Sequence, residues 1–143
     1  MNPIRKSFDA QPVFPFACTF RETKTLQREL PDHVHDWFEL VYIYCGKGSF
    51  FIDQTIYDIR EGDLFIIPGN TIHRAMPDTI EPLTTTAIFF DPLCIDLTSL
   101  GETFSYLQCF ERAQKSKNFK YLHTGAPSIA RNLFESDGVR TQA

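Results

Sequence analysis

The central part of the chain alternates between short apolar runs and turn residues. Each run is four to eight residues long and contains mostly β-branched and aromatic side chains, which is typical of β-strands. The seven runs cover residues 17–20, 38–45, 49–52, 55–59, 64–67, 73–76 and 84–90. No helical pattern separates them, and parallel strands need long crossover connections. The pattern therefore predicts antiparallel strands that form a sandwich or a barrel.

The segments on either side of these runs have different patterns. Residues 1–16 contain three prolines and little periodicity, so we predict an extended arm. After residue 92 the apolar positions adopt a helical period, and residues 128–135 follow Pro127 with a serine cap, as at the start of a helix. The predicted organisation is an arm over residues 1–16, a β-barrel over residues 17–92 and a helical region over residues 93–143.

Composition and charge limit what these elements can do. With 143 residues, 43% of them hydrophobic and 22% charged, the chain has the size of one globular domain. Its net charge of -4 has the wrong sign for binding phosphates, so these residues alone are not expected to bind DNA. No apolar run reaches the roughly 20 residues of a membrane span, and no signal peptide is evident, so we expect a cytoplasmic protein. The four cysteines lack metal-binding or redox spacing, and we expect them to be reduced and mostly buried.

The stretch from residue 33 to residue 46 contains the candidate chemistry. In a strand, side chains two residues apart point to the same face, so His33, His35 and Glu39 can converge on one side of a sheet. His73 follows a Pro-Gly-Asn corner and can return to the same site if its strand is a neighbour. Three imidazoles and one carboxylate suit Mn, Fe, Ni, Cu or Zn and leave up to two positions of an octahedron open. We predict that the four side chains converge, either around a metal ion or in a metal-free pocket where they contact a ligand directly.

Neighbouring aromatic and basic residues are further candidates. Trp37 shares the parity of the histidines, so its indole is expected either to face the pocket, where it can stack on a sugar ring, or to be a rim or core aromatic. Arg21, and also Arg60 and Arg74, are candidate anchors for a hydroxylated or anionic ligand. The opposite face of the strand over residues 38–45 is also apolar, so both of its faces must be covered. We expect the chain's own elements to cover that face, with dimer contacts added.

The spacing of these residues resembles the two motifs of the cupin superfamily. In the first motif, two histidines stand one residue apart, a glutamate follows after three residues and a glycine after six more, as in His33, His35, Glu39 and Gly46. In the second, five residues separate a glycine from a proline and a histidine comes five positions later, as in Gly62, Pro68 and His73. The resemblance implies an all-β fold with C-terminal helices, built on a cupin-type antiparallel β-barrel (double-stranded β-helix or jelly roll).

Within that superfamily the chain is similar to the amino-terminal sensor domain of AraC-family transcriptional regulators. The similarity rests on HDWFELVYI from His35, on Gly46-Lys47-Gly48, and on YDIREGDLFIIP from Tyr57. It implies a barrel that binds a small polar effector, often a sugar or a related metabolite, and helices that form a homodimer. DNA contact is expected only through a downstream domain with two helix-turn-helix motifs, for which roughly 100 more residues would be needed.

Two functions remain open for the candidate site. In the first, the chain is a ligand-sensing and dimerisation domain whose ligand-binding residues are His33, His35, Trp37, Glu39, His73 and Arg21. A divalent ion (Zn, Ni, Mn or Fe) is then a candidate cofactor on His33, His35, Glu39 and His73. In the alternative, the chain is a small metal-dependent cupin enzyme, an isomerase or a dioxygenase. Because the spacing singles out no separate acid/base pair, we favour the binding domain over the enzyme.

Overall fold

The computed structural model describes residues 2–8, 16–92 and 108–121. Within these ranges the secondary structure consists almost entirely of β-strands. The strands are β1 (Ile4–Arg5), β2 (Phe16–Lys24), β3 (His33–Val34), β4 (Phe38–Cys45), β5 (Gly48–Ile52), β6 (Thr55–Ile59), β7 (Leu64–Ile67), β8 (His73–Pro77) and β9 (Leu83–Phe90). One helix, α1, spans Gln108–Ser116.

The strands form two sheets with the orders β1-β3-β8-β5-β6 and β2-β9-β4-β7. Every pairing in them is antiparallel except that of β1 with β3, which is parallel. All seven predicted strands are present, and six begin and end within one residue of their predicted limits. The strands β1 and β3 were not predicted, because two residues are too few to show a period. The predicted antiparallel, all-β architecture is therefore confirmed.

One hydrophobic core joins the two sheets. The four-stranded sheet contributes alternate residues such as Val41, Ile43 and Ala87, and the other sheet contributes Phe50 and Ile52. All of these side chains are almost inaccessible to solvent, and each large one stabilises the fold by roughly 1.5–3 kcal/mol relative to an exposed position. Packing through this core brings strands of the two sheets together. The candidate residues lie at the ends of such strands.

The outer face of the four-stranded sheet is covered by the chain itself in the described part. The ring of Phe110 in α1 lies 4.8 Å from that of Phe38 in β4 and 6.4 Å from that of Phe90 in β9, measured between centroids. Tyr42 and Tyr44 form a second cluster with Leu64 as its partly buried neighbour. Helix α1 thus provides part of the expected cover, whereas added dimer contacts stay a prediction.

The histidines and Glu39 do not share one strand, and that part of the prediction is wrong. His33 lies in β3 of the five-stranded sheet, whereas Glu39 lies in β4 of the other sheet. Residues 35–37 connect the two strands, so the chain passes from one sheet to the other within the motif. Alternation along the sequence cannot reveal such a crossing, because His33, His35 and Glu39 have the same spacing whether the chain stays in one sheet or passes to the other.

Other predictions fare differently in the described part. Cys18, Cys45 and Cys109 are exposed, so the expectation of mostly buried cysteines is wrong for these three. Cys18 lies within the edge strand β2, Cys45 ends β4 and Cys109 lies in α1, and their residue type did not indicate these exposed positions. The helical period is confirmed over α1, while the serine-capped helix predicted at residues 128–135 lies outside the described residues. Among the described residues, no helix is long and apolar enough to cross a membrane.

Candidate metal and ligand site

Both sheets contribute to one buried cluster that consists of His33, His35, Glu39 and His73, the histidine-glutamate cluster. His33 in β3 pairs directly with His73 in β8, and Glu39 reaches the cluster from β4. The exposed fractions are 8% for His33, 1% for His35 and His73, and 4% for Glu39. The structure thus brings together the four side chains that the sequence singled out as ligands.

A tight corner holds the crossing segment in place. The backbone N–H of Asn70 donates a hydrogen bond of 2.7 Å to the carbonyl of His35. Gly69 lies against the carbonyl of Asp36, and a Cβ at this position would clash with that oxygen. The close backbone approach therefore requires glycine here, and it fixes the strand that follows, which begins with His73.

The ligand atoms of the three histidines are close enough to bind a common ion. One ring nitrogen from each of them lies within 4.8 Å of the others. Glu39 Oε2 is 3.0 Å from His35 Nε2 and 3.1 Å from His73 Nε2. The donor set is therefore three imidazoles and one carboxylate, the combination that suits first-row divalent ions.

Each imidazole is oriented by a backbone carbonyl two residues away. Nδ1 of His33 lies 2.9 Å from the carbonyl of Pro31, that of His35 lies 2.8 Å from Trp37, and that of His73 lies 2.7 Å from Thr71. A carbonyl oxygen only accepts hydrogen bonds, so Nδ1 must donate in every case. The neutral form of each ring then has its lone pair on Nε2, as in metal-binding histidines whose other nitrogen is held by a carbonyl.

This orientation leaves acceptors facing one another inside the cluster. Nε2 of a neutral His35 or His73 has no proton to donate, and an ionised Glu39 can only accept. His73 Nε2 is buried and is not aligned for a hydrogen bond despite its 3.1 Å distance to Glu39. A positive charge must therefore lie between these atoms, and it is either a proton on Nε2 or a metal ion.

The electrostatics of the cluster keep Glu39 ionised and His33 neutral. Burial by itself would raise the pKa of the Glu39 carboxyl, but contacts with His35 and His73 outweigh it and hold that pKa well below its usual range. Burial, followed by the nearby charge of His73, lowers the pKa of His33 from 6.5 to about 4. At neutral pH His33 is therefore an unprotonated imidazole, the form that binds metals.

Aromatic rings surround the cluster on the side of the arm. Phe8 stacks on Trp37 with 4.6 Å between centroids and 14° between planes, and its edge meets the His35 ring at 5.3 Å. Phe89 contacts both Phe8, at 5.0 Å, and His35, at 5.7 Å. Trp37 is only partly buried and packs against the main core, which matches its description as a rim aromatic. No periodic pattern indicated Phe8, because it lies in a segment predicted only as an arm.

The three arginine candidates do not join the cluster. Arg21 lies within a bulge of β2 and places its guanidinium 4.6 Å from the ring centroid of Tyr44, on the outer face of the sheet. Since Tyr44 and Glu39 project from opposite faces of β4, Arg21 points away from the histidines. Arg74 contacts Asp32 at 3.4 Å near the surface, and Arg60 is exposed.

Comparison with solved structures supports the cupin-type barrel. The chain is similar to a cupin protein from Bacteroides fragilis, with 18% identity and a TM-score of 0.51 over 74% of this chain and 96% of that one. A Cupin 2 conserved barrel domain protein from Salinispora arenicola is 17% identical, with a TM-score of 0.46 over 64% of this chain and 75% of that one. The likeness to the Bacteroides fragilis protein concerns the fold alone, and it confirms the predicted cupin fold.

Sequence comparison gives a partial relative and a family. A gentisate 1,2-dioxygenase from a Haloferax species is 31% identical over 67 residues, which are 47% of this chain and 18% of that protein. The chain therefore spans less than a fifth of the length of that relative. The family model described as AraC-like ligand binding domain matches residues 17–134, which is most of the chain. The chain belongs to the family of AraC-like ligand binding domains.

Proposed function

We propose that this chain is the effector-sensing domain of a transcriptional regulator and that it binds a small polar effector beside a divalent ion held by the histidine-glutamate cluster. The observation that carries the metal half is that one ring nitrogen from each of the three histidines lies within 4.8 Å of the others, with Nε2 of His35 and His73 against Glu39 and every Nδ1 hydrogen-bonded to a carbonyl. Membership of the ligand-binding family and the cupin fold support the effector half.

The residues of the cluster fit such an ion chemically. His33, His35 and His73 would supply neutral nitrogens, Glu39 would supply one negative charge, and up to two positions of an octahedron would remain for effector oxygens. A bound ion would act as a Lewis acid toward those oxygens. The surrounding rings of Phe8 and Phe89 limit the access of water, which strengthens electrostatic contacts within the cluster.

Sensing further requires that the effector binds two states of the regulator with different affinity. The homodimer and the DNA contact through a separate helix-turn-helix domain belong to this proposal. Residues 108–116 provide one helix beside the barrel, and its contacts with Phe38 and Phe90 connect it to the sheet that contains Glu39. A conformational change at Glu39 would therefore reach this helix through packed residues of β4.

Metal binding by the full chain tests the first half. Protein freed of metal with EDTA is titrated with Zn²⁺, Ni²⁺ and Mn²⁺ in a calorimeter, and bound metal is counted by mass spectrometry. Glu39→Gln and His73→Asn should each weaken binding by about 10- to 100-fold or more, since even outer contacts of metal sites matter this much. Glu81→Gln is the matched control, because Glu81 is exposed and pairs with the exposed Lys47.

The outcomes separate the two halves of the proposal. A wild-type protein that binds none of the three ions contradicts the metal site. Calorimetry of the metal-loaded and metal-free protein with sugars, sugar acids and amino sugars then tests the effector. If no compound binds either form, and the gene encodes no helix-turn-helix region, the sensor proposal is wrong.

A second candidate function is that of a small metal-dependent cupin enzyme. The observation that favours it is the 31% identity with the gentisate 1,2-dioxygenase over 67 residues. An octahedral ion on the four candidate ligands would keep up to two positions for a substrate. Oxygen uptake by the iron-loaded protein, measured with an electrode in the presence of hydroxylated aromatic acids, distinguishes this function. Turnover that is lost in Glu39→Gln and kept in Glu81→Gln would favour the enzyme over the sensor.

A further inference from the structure

The segment that follows α1 binds along one edge of the barrel. It consists of residues 117–121, and we call it the latch. Its main chain bridges β7 in the antiparallel direction. The N–H of Ile66 donates to the carbonyl of Phe119, and the N–H of Tyr121 donates to the carbonyl of Leu64, both at 2.8 Å. Since β7 is the last strand of its sheet and has β4 on its other side, the latch extends that sheet at the edge.

Three side-chain contacts hold the latch on the barrel. Phe119 is 1% exposed and belongs to the same hydrophobic core as Phe65. The hydroxyl of Tyr57 accepts a hydrogen bond of 3.2 Å from the N–H of Phe119. Lys120 forms an ion pair of 3.0 Å with Asp63. Because α1 ends directly before the latch, the docked latch also determines where this helix lies on the barrel.

Strand β7 connects the latch to the histidine-glutamate cluster. Along its other edge it pairs with β4, and its residue Ile67 stands opposite Glu39. After Ile67 the chain enters the corner at residues 68–70, whose last N–H donates to the carbonyl of His35, and it then reaches His73. The same strand is therefore in contact with the cluster at one edge and one end, and with the latch at its other edge.

A row of aromatic rings forms a second connection through the core. The ring centroid of Phe50 lies 6.4 Å from that of His73 and 4.9 Å from that of Phe65. The centroid of Phe65 lies 6.0 Å from that of Tyr57, whose hydroxyl binds the latch. Packed side chains thus run without a gap from a cluster histidine to the latch.

We propose that the latch is a conformational switch whose docking is linked to metal binding at the cluster. This inference rests on the proposed metal site. A divalent ion would contact all four ligands at once and fix Glu39 of β4 relative to the corner, whereas a proton on one Nε2 joins only two of them. Both ends of this constraint act on β7. Ordering that strand from one side lowers the entropy cost of pairing on its other side, so a bound ion stabilises the docked latch.

Amide hydrogen exchange of the full chain, followed by NMR in EDTA and in excess Zn²⁺, tests the link. Zinc should slow exchange of the Tyr121 amide by about fivefold or more, the lower end of typical coupling between sites. The Lys47 amide, which donates to the carbonyl of Glu81 at the far end of β4, is the internal control and should change by about twofold at most. In the metal-free protein, Tyr57→Phe should speed exchange at Tyr121 by about fivefold through the lost hydroxyl. The matched variant Tyr44→Phe, which loses a hydroxyl contact with Thr86, should not.

Zinc affinity tests the same link in the other direction. Linkage is reciprocal, so loss of the docked latch should weaken zinc binding by up to the factor that zinc adds to its protection. Phe119→Ala removes the core anchor of the latch and should bind zinc about threefold or more weakly in calorimetry. Leu83→Ala is the matched control, because Leu83 is also 1% exposed in the same core but lies in β9, which does not pair with β7. Circular dichroism confirms that each variant is folded.

The outcomes keep this inference separate from the proposed function. Equal exchange at Tyr121 with and without zinc overturns the inference, and zinc binding measured in the same samples then leaves the metal site intact. An equal loss of zinc affinity in Phe119→Ala and Leu83→Ala also overturns it, because the effect would then be general destabilisation. If Phe119→Ala does not fold, the exchange measured in the wild type decides alone. A wild type that binds no zinc contradicts the proposed function and this inference with it.

Discussion

Acidification of the metal-free protein should destabilise the fold through His33. The pKa of this imidazole is lowered from 6.5 to about 4 in the folded state, first by burial and then by the nearby charge of His73. Below pH 6.5 the unfolded chain therefore binds a proton that folded His33 does not accept. The stability contributed by His33 is complete above pH 6.5 and is lost as the pH falls toward about 4.

The size of this effect follows from the shift. Each pKa unit corresponds to about 1.4 kcal/mol, so the full shift is equivalent to about 3 kcal/mol, and solvent screening at the ring edge reduces the expectation to about 2 kcal/mol. Glu39 contributes in a different window, because its pKa lies well below 4.5 and its stabilisation is lost only as the pH falls through that lower value. The range between pH 6.5 and about 4 therefore reports on His33.

Urea unfolding in the presence of EDTA, followed by circular dichroism at several pH values, measures the effect. The matched variant is His33→Asn, whose side-chain amide can still donate to the carbonyl of Pro31 but does not titrate. Its free energy of unfolding should depend less on pH than that of the wild type, by about 2 kcal/mol across the window. Identical pH slopes for the two proteins would refute the reasoning.

Three further predictions concern packing, the corner and the thiols. Phe110→Ala removes a side chain that is 3% exposed and should lower the free energy of unfolding by about 3 kcal/mol in urea titrations. Gly69→Ala should weaken Zn²⁺ binding in calorimetry, because its Cβ would clash with the Asp36 carbonyl. Gly46→Ala is the control: its Cβ would clash with Pro82 at a φ of +100°, so it should lower the free energy of unfolding but not the affinity for zinc. Unchanged zinc affinity in Gly69→Ala would contradict the role of the corner. A thiol reagent should modify Cys18, Cys45 and Cys109 in the native protein. Protection of any one of them would contradict its exposure.

Most of the fold could be predicted from the sequence because its strands carry strong local patterns. The run from residue 38 to 45 is apolar on both faces. One face packs into the core, and on the other Phe38 contacts Phe110 of α1 while Tyr42 and Tyr44 pack against each other beside Leu64. The short strands β1 and β3 could not be predicted, since they exist only through pairing with each other and with β8. Such pairing depends on residues far apart in the chain.

Side-chain direction was the least predictable property. Arg21 was a reasonable ligand candidate, but a bulge between Thr19 and Glu22 changes the register of β2, and Arg21 itself has a φ of 46°. Its guanidinium then lies over Tyr44 on the outer face. Phe8 was missed for a related reason. Its position beside His35 depends on the parallel pairing of the arm with β3, which no pattern in residues 1–16 indicates.

The four cluster residues were predicted to converge from a single strand. They converge although they lie in both sheets, because two kinds of constraint act on them. Each imidazole is oriented locally, by a carbonyl two residues before it in His33 and His73 and two residues after it in His35. These contacts depend on short spacing and are therefore close to what the sequence displays. The distances between the rings depend instead on the pairing of β3 with β8 and on the contact of the corner with the crossing segment. Disturbing the corner should therefore separate correctly oriented ligands, whereas changing one histidine removes a ligand and leaves the others in place.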